Sequence, residues 1–142
     1  MNAAARPSDR RLTGEDVDRE AALHGHLPGC ARCLPFASRG WESFPSTASD
    51  KALQLLGSLR DPQDDDPTLE ELHDAATSLW SPQAPIALHF HPYNRSELWA
   101  CRTCHKPFLR YTEYGGYYEE QRIRELQPGL ITHAMPGDDP AR

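Results

Sequence analysis

The sequence predicts an α+β protein: a small antiparallel sheet with a C-terminal β-hairpin, and two or three short helices packed against it. Three observations lead there. Apolar residues at 53, 56 and 59, and again at 69, 72, 76 and 79, recur at helical spacing. From Ile86 onward the pattern turns to alternation, with aromatic-rich runs on either side of Gly115-Gly116. All four cysteines fall in two CxxC pairs, one before the helical stretch and one inside the alternating one. A chain of 142 residues holds one domain and no TIM barrel. Its 38% hydrophobic content and 13 prolines predict a modest core with long irregular connections.

The elements follow in order. Residues 1–12 are polar and aperiodic and read as a disordered arm. Thr13 with Asp16 three residues on is a capping-box-like start, so a short helix is expected over about 14–23, with Val17 and Ala21 inward. Gly25, Pro28, Gly29 and Pro35 then interrupt regular structure. In 36–48, Trp41 and Phe44 are expected to anchor an irregular segment to the core. Ser49 can cap a second helix to about Leu59, and Asp66-Pro67 can open a third to about Trp80. These two form a helical insertion over about 49–80. The sheet is expected over about 86–126. Ile86, Leu88 and Phe90 should share one face of a first strand, with His89 and His91 on the other. A turn at 92–95 leads to a second strand at 97–101. The runs 107–114 and 117–126 are expected to form the hairpin around the two glycines, with a helix after Glu119 as the alternative, since Glu, Gln, Arg and Leu favour it. The domain thus spans 13–134, and 135–142 is a tail.

The cysteine pairs carry the strongest chemical signal. In Cys30-Ala31-Arg32-Cys33 and Cys101-Arg102-Thr103-Cys104, a tight turn points both sulfurs at one centre. Two such turns supply the four thiolates of a closed tetrahedral zinc site. Cys30, Cys33, Cys101 and Cys104 are therefore the expected metal ligands, and structural Zn²⁺ the expected cofactor. The run Trp99 to Phe108, strand then knuckle then strand, resembles a zinc ribbon over roughly 86–126 plus the turn at Cys30. The resemblance implies a structural metal and no particular function. Sixty-seven residues separate Cys33 from Cys101, a wider gap than the usual double-knuckle pattern. Histidines offer rival ligand sets. His24 and His26 precede the first pair, and His89 and His91 stand across a hairpin from the second, so two local sites of two histidines and two cysteines are the alternative.

Other chemistry is weaker. Cys101 to His105 matches the CxxCH haem-attachment string, but no export signal is present. A redox dithiol would need its CxxC at a helix N-terminus. No apolar run reaches the ~18–20 residues of a membrane-spanning helix. The N-terminus lacks a signal-peptide core, which points to the cytoplasm, and the excess of Arg over Lys to a bacterial source. A net charge of −6 argues against general nucleic-acid binding. Asp64-Asp65-Asp66 reads as a solvated connector, lacking the EF-hand spacing. Arg110, Tyr111, Tyr114 and Tyr117 crowd the hairpin tip, and Tyr and Arg are favoured in interfaces, so this face is the expected partner-binding surface. The functional expectation is a non-enzymatic, zinc-stabilised binding or adaptor protein whose partner is another protein. The alternatives are a metal-dependent or thiol enzyme and a nucleic-acid-binding zinc ribbon.

Overall fold

The computed structural model describes residues 10–72, 77–115 and 117–137. Helix α1 spans Gly14–His24, and the capping box forms: the Thr13 side chain accepts from the Asp16 N–H, and the Asp16 carboxylate accepts from the Thr13 N–H at 2.8 Å. Val17 and Ala21 are its buried residues, as their spacing of four requires. Seven strands follow: β1 Glu42–Ser43, β2 Leu53–Ser58, β3 Ile86–Ala87, β4 Glu97–Cys101, β5 Pro107–Tyr114, β6 Glu119–Glu125 and β7 Ile131–Thr132. Five of them make an antiparallel sheet in the order β1-β6-β5-β4-β2. The short β3 and β7 pair parallel as a separate two-stranded unit. No described helix is long and apolar enough to cross a membrane.

The hairpin β5–β6 forms where alternation predicts it. Tyr114 pairs with Glu119, so the connection runs from Gly115 to Tyr118 and is longer than a two-residue turn. Elsewhere the fold corrects the expectation. Among the described residues α1 is the only α-helix. The helix expected over 49–59 is a single turn, Asp50–Ala52, followed by strand β2. The reason is a register shift between Leu55 and Gly57. Alternation already sets Leu56 across the sheet from Leu53, and a bulge exchanges the faces of the residues beyond it, so Leu59 joins Leu56 rather than Leu53. Three leucines spaced by three thus serve two faces rather than one helical stripe. Gly57 is required there: a Cβ would stand 2.8 Å from the Arg10 carbonyl oxygen and from Leu12 Cγ.

The third expected helix, 67–80, is also absent from its described parts. Residues 67–72 carry no regular structure, and 73–76 lie outside the described residues. Backbone carbonyls of this stretch serve the loop beside it: Thr68 accepts from Asn94, Pro67 from Arg95, and Glu70 from the His91 N–H. The first strand is shorter than alternation implies. It ends at Ala87, and 88–95 turn back toward β4, so no 86–101 hairpin exists. Of the arm, 1–9 lie outside the described residues, but Arg11 bridges Ser58 and Leu12 is core. Of the tail, 135–137 are described without regular structure, and 138–142 lie outside the described residues.

Each face of the sheet carries a cluster. The larger holds α1, Trp41, Phe90, Tyr93, Leu98, Leu109 and Tyr111. The smaller holds Phe36, Leu53, Phe108 and Ile123 around Cys33 and Cys101. In the larger cluster Arg124 is fully buried, and no carboxylate among the described residues lies within ion-pair distance. It donates instead to the Tyr93 hydroxyl at 2.8 Å, the Arg39 carbonyl at 2.8 Å and the Ala84 carbonyl at 3.3 Å. Trp41 Nε1 also donates to the Tyr93 hydroxyl. A guanidinium is tolerated here because its planar fork reaches three acceptors at once. Arg124→Ala removes donors from all three and opens a cavity. It is expected to cost roughly 3–5 kcal/mol, read as a drop in the urea midpoint. An unchanged midpoint would mean that this network does not hold the face together.

Candidate metal centre

The four cysteines reach one point from three parts of the chain. Cys30 and Cys33 lie on the turn after α1, Cys101 ends β4, and Cys104 lies in the turn that joins β4 to β5. Each pair is shaped by its own backbone. In the first turn the Cys33 and Leu34 N–H groups donate to the Cys30 carbonyl at 3.2 and 3.0 Å. In the second the His105 N–H donates to the Cys101 carbonyl at 2.9 Å, and the Cys101 N–H to the Lys106 carbonyl at 2.9 Å. The two turns share the bond from residue i+4 back to residue i. They differ after it: His105 takes φ 71°, whereas Leu34 enters a single 3₁₀ turn, Leu34–Phe36. Neither pair stands at the N-terminus of an α-helix, the position that a thioredoxin-like dithiol uses.

The stretch between the pairs provides the link. It holds β1 and β2, the two edge strands of the same sheet, rather than a helical insertion. β2 sets Leu53 opposite Cys101, and the Arg102 N–H donates to the Ala52 carbonyl. Sequence reading gave Lys106 no role, yet it ties the two turns together. It is only 7% exposed; its Nζ donates to the Leu27 carbonyl at 2.7 Å and pairs with Glu125 at 3.1 Å. Its position two residues after Cys104 was the available signal. Gly29, at φ +89°, passes between the turns: a Cβ there would stand 3.2 Å from both Cys33 Sγ and Lys106 Cδ.

All four Sγ atoms lie within 4.8 Å of one another. Two approaches run between the pairs at 3.7 Å, Cys30 to Cys101 and Cys33 to Cys104. An ideal tetrahedron with metal–sulfur bonds of ~2.3 Å has edges of ~3.8 Å. The four thiols are free, and 3.7 Å is far beyond a disulfide bond of ~2.0 Å. Their electrostatics differ. The backbone N–H of Cys33 draws the Cys30 thiol down to about 7, against the effect of burial. Burial pushes Cys33 up to about 12 and also raises Cys104. Four thiolates this close repel one another, so a cation is needed to hold the deprotonated set together. Among the described residues this is the one convergence of three or more metal-ligating side chains.

The histidines offered as alternative ligands stand apart from this group. His24 Nδ1 meets Glu20 at 2.8 Å, and its ring lies 5.6 Å from that of His105. His26 is exposed. His89 lines a cleft with Asp61, Asp64 and Asp66, whereas His91 packs edge-on to Tyr111. Burial lowers the pKa of both His89 and His91. With no 86–101 hairpin, nothing carries these two toward Cys101 and Cys104.

The expected partner face divides between the two sides of β5. Tyr111 is 4% exposed, its ring 4.7 Å from Trp41 and edge-on to it, so it is core rather than surface. Period-two alternation places it opposite Arg110. Arg110 stacks on Phe44 at 4.0 Å and Trp99 at 5.0 Å and pairs with Asp50 at 3.4 Å. Tyr114 and Tyr117 are exposed.

Comparison of this chain with protein-family models, with curated proteins and with solved structures found no match to any of the three.

Proposed function

We propose that Cys30, Cys33, Cys101 and Cys104 hold one structural Zn²⁺, and that the protein is a non-enzymatic binding or adaptor protein of the cytoplasm. The observation that carries this reading is the 3.7 Å contact between the pairs, repeated twice, within a group that fits a tetrahedral thiolate edge. Four protein sulfurs fill a tetrahedral ion's coordination, leaving no position for water or substrate, which favours a structural over a catalytic role. The site also lies where structure needs it, in the smaller of the two buried clusters.

Metal analysis by mass spectrometry of the untagged protein, with thiol counting, tests the reading. One zinc per chain and four thiols protected from alkylation are expected. Two zincs per chain, or a metal-free protein with four reactive thiols and an unaltered fold, would overturn it.

A further inference from the structure

β5 outruns its neighbour. β4 pairs with β5 only as far as Glu97 opposite Arg110, whereas β6 accompanies β5 to Tyr114. Residues 111–114 therefore have a strand on one side only. The phase of the hairpin shows which backbone groups are left over. The Gly115 N–H donates to the Tyr118 carbonyl at 2.8 Å. In an antiparallel ladder, bonded pairs alternate, so Tyr111 and Glu113 turn their N–H and C=O groups to β6. Those of Thr112 and Tyr114 turn the other way. Among the described residues no backbone group meets them there.

That free edge opens on a groove of about 470 Å³ whose walls include Leu69, His91, Arg95 and Glu97. Some charges along it are already paired. Arg110 pairs with Asp50 and Glu113 with Arg122, whereas Glu97 accepts only from the neutral Trp99 Nε1, at 3.2 Å. Arg95 is the cation left over. Its guanidinium donates to the Pro67 carbonyl at 2.6 Å, its Nε is buried without a partner, and no described carboxylate lies within ion-pair distance. Among the described residues Arg95 is thus the cation of the groove wall with neither a carboxylate partner nor a full set of acceptors. Leu69, 67% exposed, and Tyr114, 73% exposed, are the apolar surfaces beside it.

We propose that this edge receives an extended, acidic segment of a partner protein as an added strand. The backbone groups of Thr112 and Tyr114 bond the incoming strand, a carboxylate meets Arg95, and an apolar side chain rests on Leu69 and Tyr114. Main-chain pairing of this kind supplies affinity, and the flanking side chains supply selectivity. The inference rests on the binding-protein reading above and is independent of the metal.

The probe is a displayed library of random linear decapeptides selected on the full-length protein. Enriched peptides are expected to carry Asp or Glu among β-branched or aromatic residues. Their addition should slow hydrogen exchange at the Thr112 and Tyr114 amides. Thr112→Pro removes an outward N–H without touching the β6 ladder, a place where a strand tolerates proline. It should weaken binding tenfold or more at an unchanged melting temperature. Should that variant melt early, Arg95→Gln decides: it should erase the preference for acidic residues. Peptides that bind while leaving both amides unprotected, or that bind Arg95→Gln with the same acidic preference, would overturn the edge while sparing the binding-protein reading. A wild-type dimer abolished by Thr112→Pro would assign the edge to a second copy and overturn the partner. A selection that enriches nothing would overturn both.

Discussion

If the four cysteines hold zinc as proposed, its removal is expected to unfold this protein. Folded domains are stable by only ~5–15 kcal/mol, whereas structural zinc contributes an apparent ~10–16 kcal/mol at neutral pH in small metal domains. The metal term therefore matches or exceeds the whole margin. The geometry says why nothing replaces it. On the cysteine face the buried cluster contains six residues, and two of them are Cys33 and Cys101. Burial raises the pKa of the Cys33 and Cys104 thiols, so it opposes the thiolate form that a cation stabilises. Without the cation the face retains Phe36, Leu53, Phe108 and Ile123, with Phe44, Trp99 and two alanines packed against them. Circular dichroism melts before and after treatment with a strong chelator, with loss of metal verified, test this. The cooperative transition should disappear and return on adding one equivalent of zinc. An unchanged melt of the verified apo-protein would remove zinc from the account of stability. The pH dependence has a definite sign. Protons compete for the same sulfurs, so loading releases protons and the metal affinity falls as pH falls.

Cys30→Ser and Cys101→Ser are expected to be severe and strongly non-additive. The two residues are 71 apart in sequence and 3.7 Å apart at their sulfurs. If they share one ion, either substitution destroys most of its affinity, and the double variant loses little more than the worse single one. Coupling of contacting residues commonly reaches ~0.5–3 kcal/mol, and a shared metal should place this pair at the top of that range or above it. Urea midpoints of the four proteins of the cycle, each with its zinc content, provide the measurement. Two independent sites would give additive losses and one residual zinc in each single variant.

Local signals were legible wherever the chain's neighbours in sequence are also its neighbours in space. Thr13 and Asp16 meet within one helical turn, each CxxC closes its own loop, and β5–β6 is a hairpin of unbroken register. The helical reading of 49–59 failed because the leucine spacing carries no mark of the bulge at Leu55 and Gly57. Tyr111 and Arg110 were grouped by sequence proximity, yet adjacent strand residues point to opposite faces. Lys106 was missed because its partners, Leu27 and Glu125, are distant in sequence and near only once the sheet forms.

By itself the sequence determined the capped helix, the strand leading to the paired glycines, the acidic balance and the presence of two sulfur-bearing turns, because each is encoded within a few residues. Only the tertiary structure decided that the two turns face one another. That depends on β1 and β2 joining the sheet as its edge strands, on Leu53 lying opposite Cys101, and on Lys106 reaching the Leu27 carbonyl. Those pairings are non-local: loop closure costs them entropy that no single segment repays, and they form only when the whole sheet buries both of its faces.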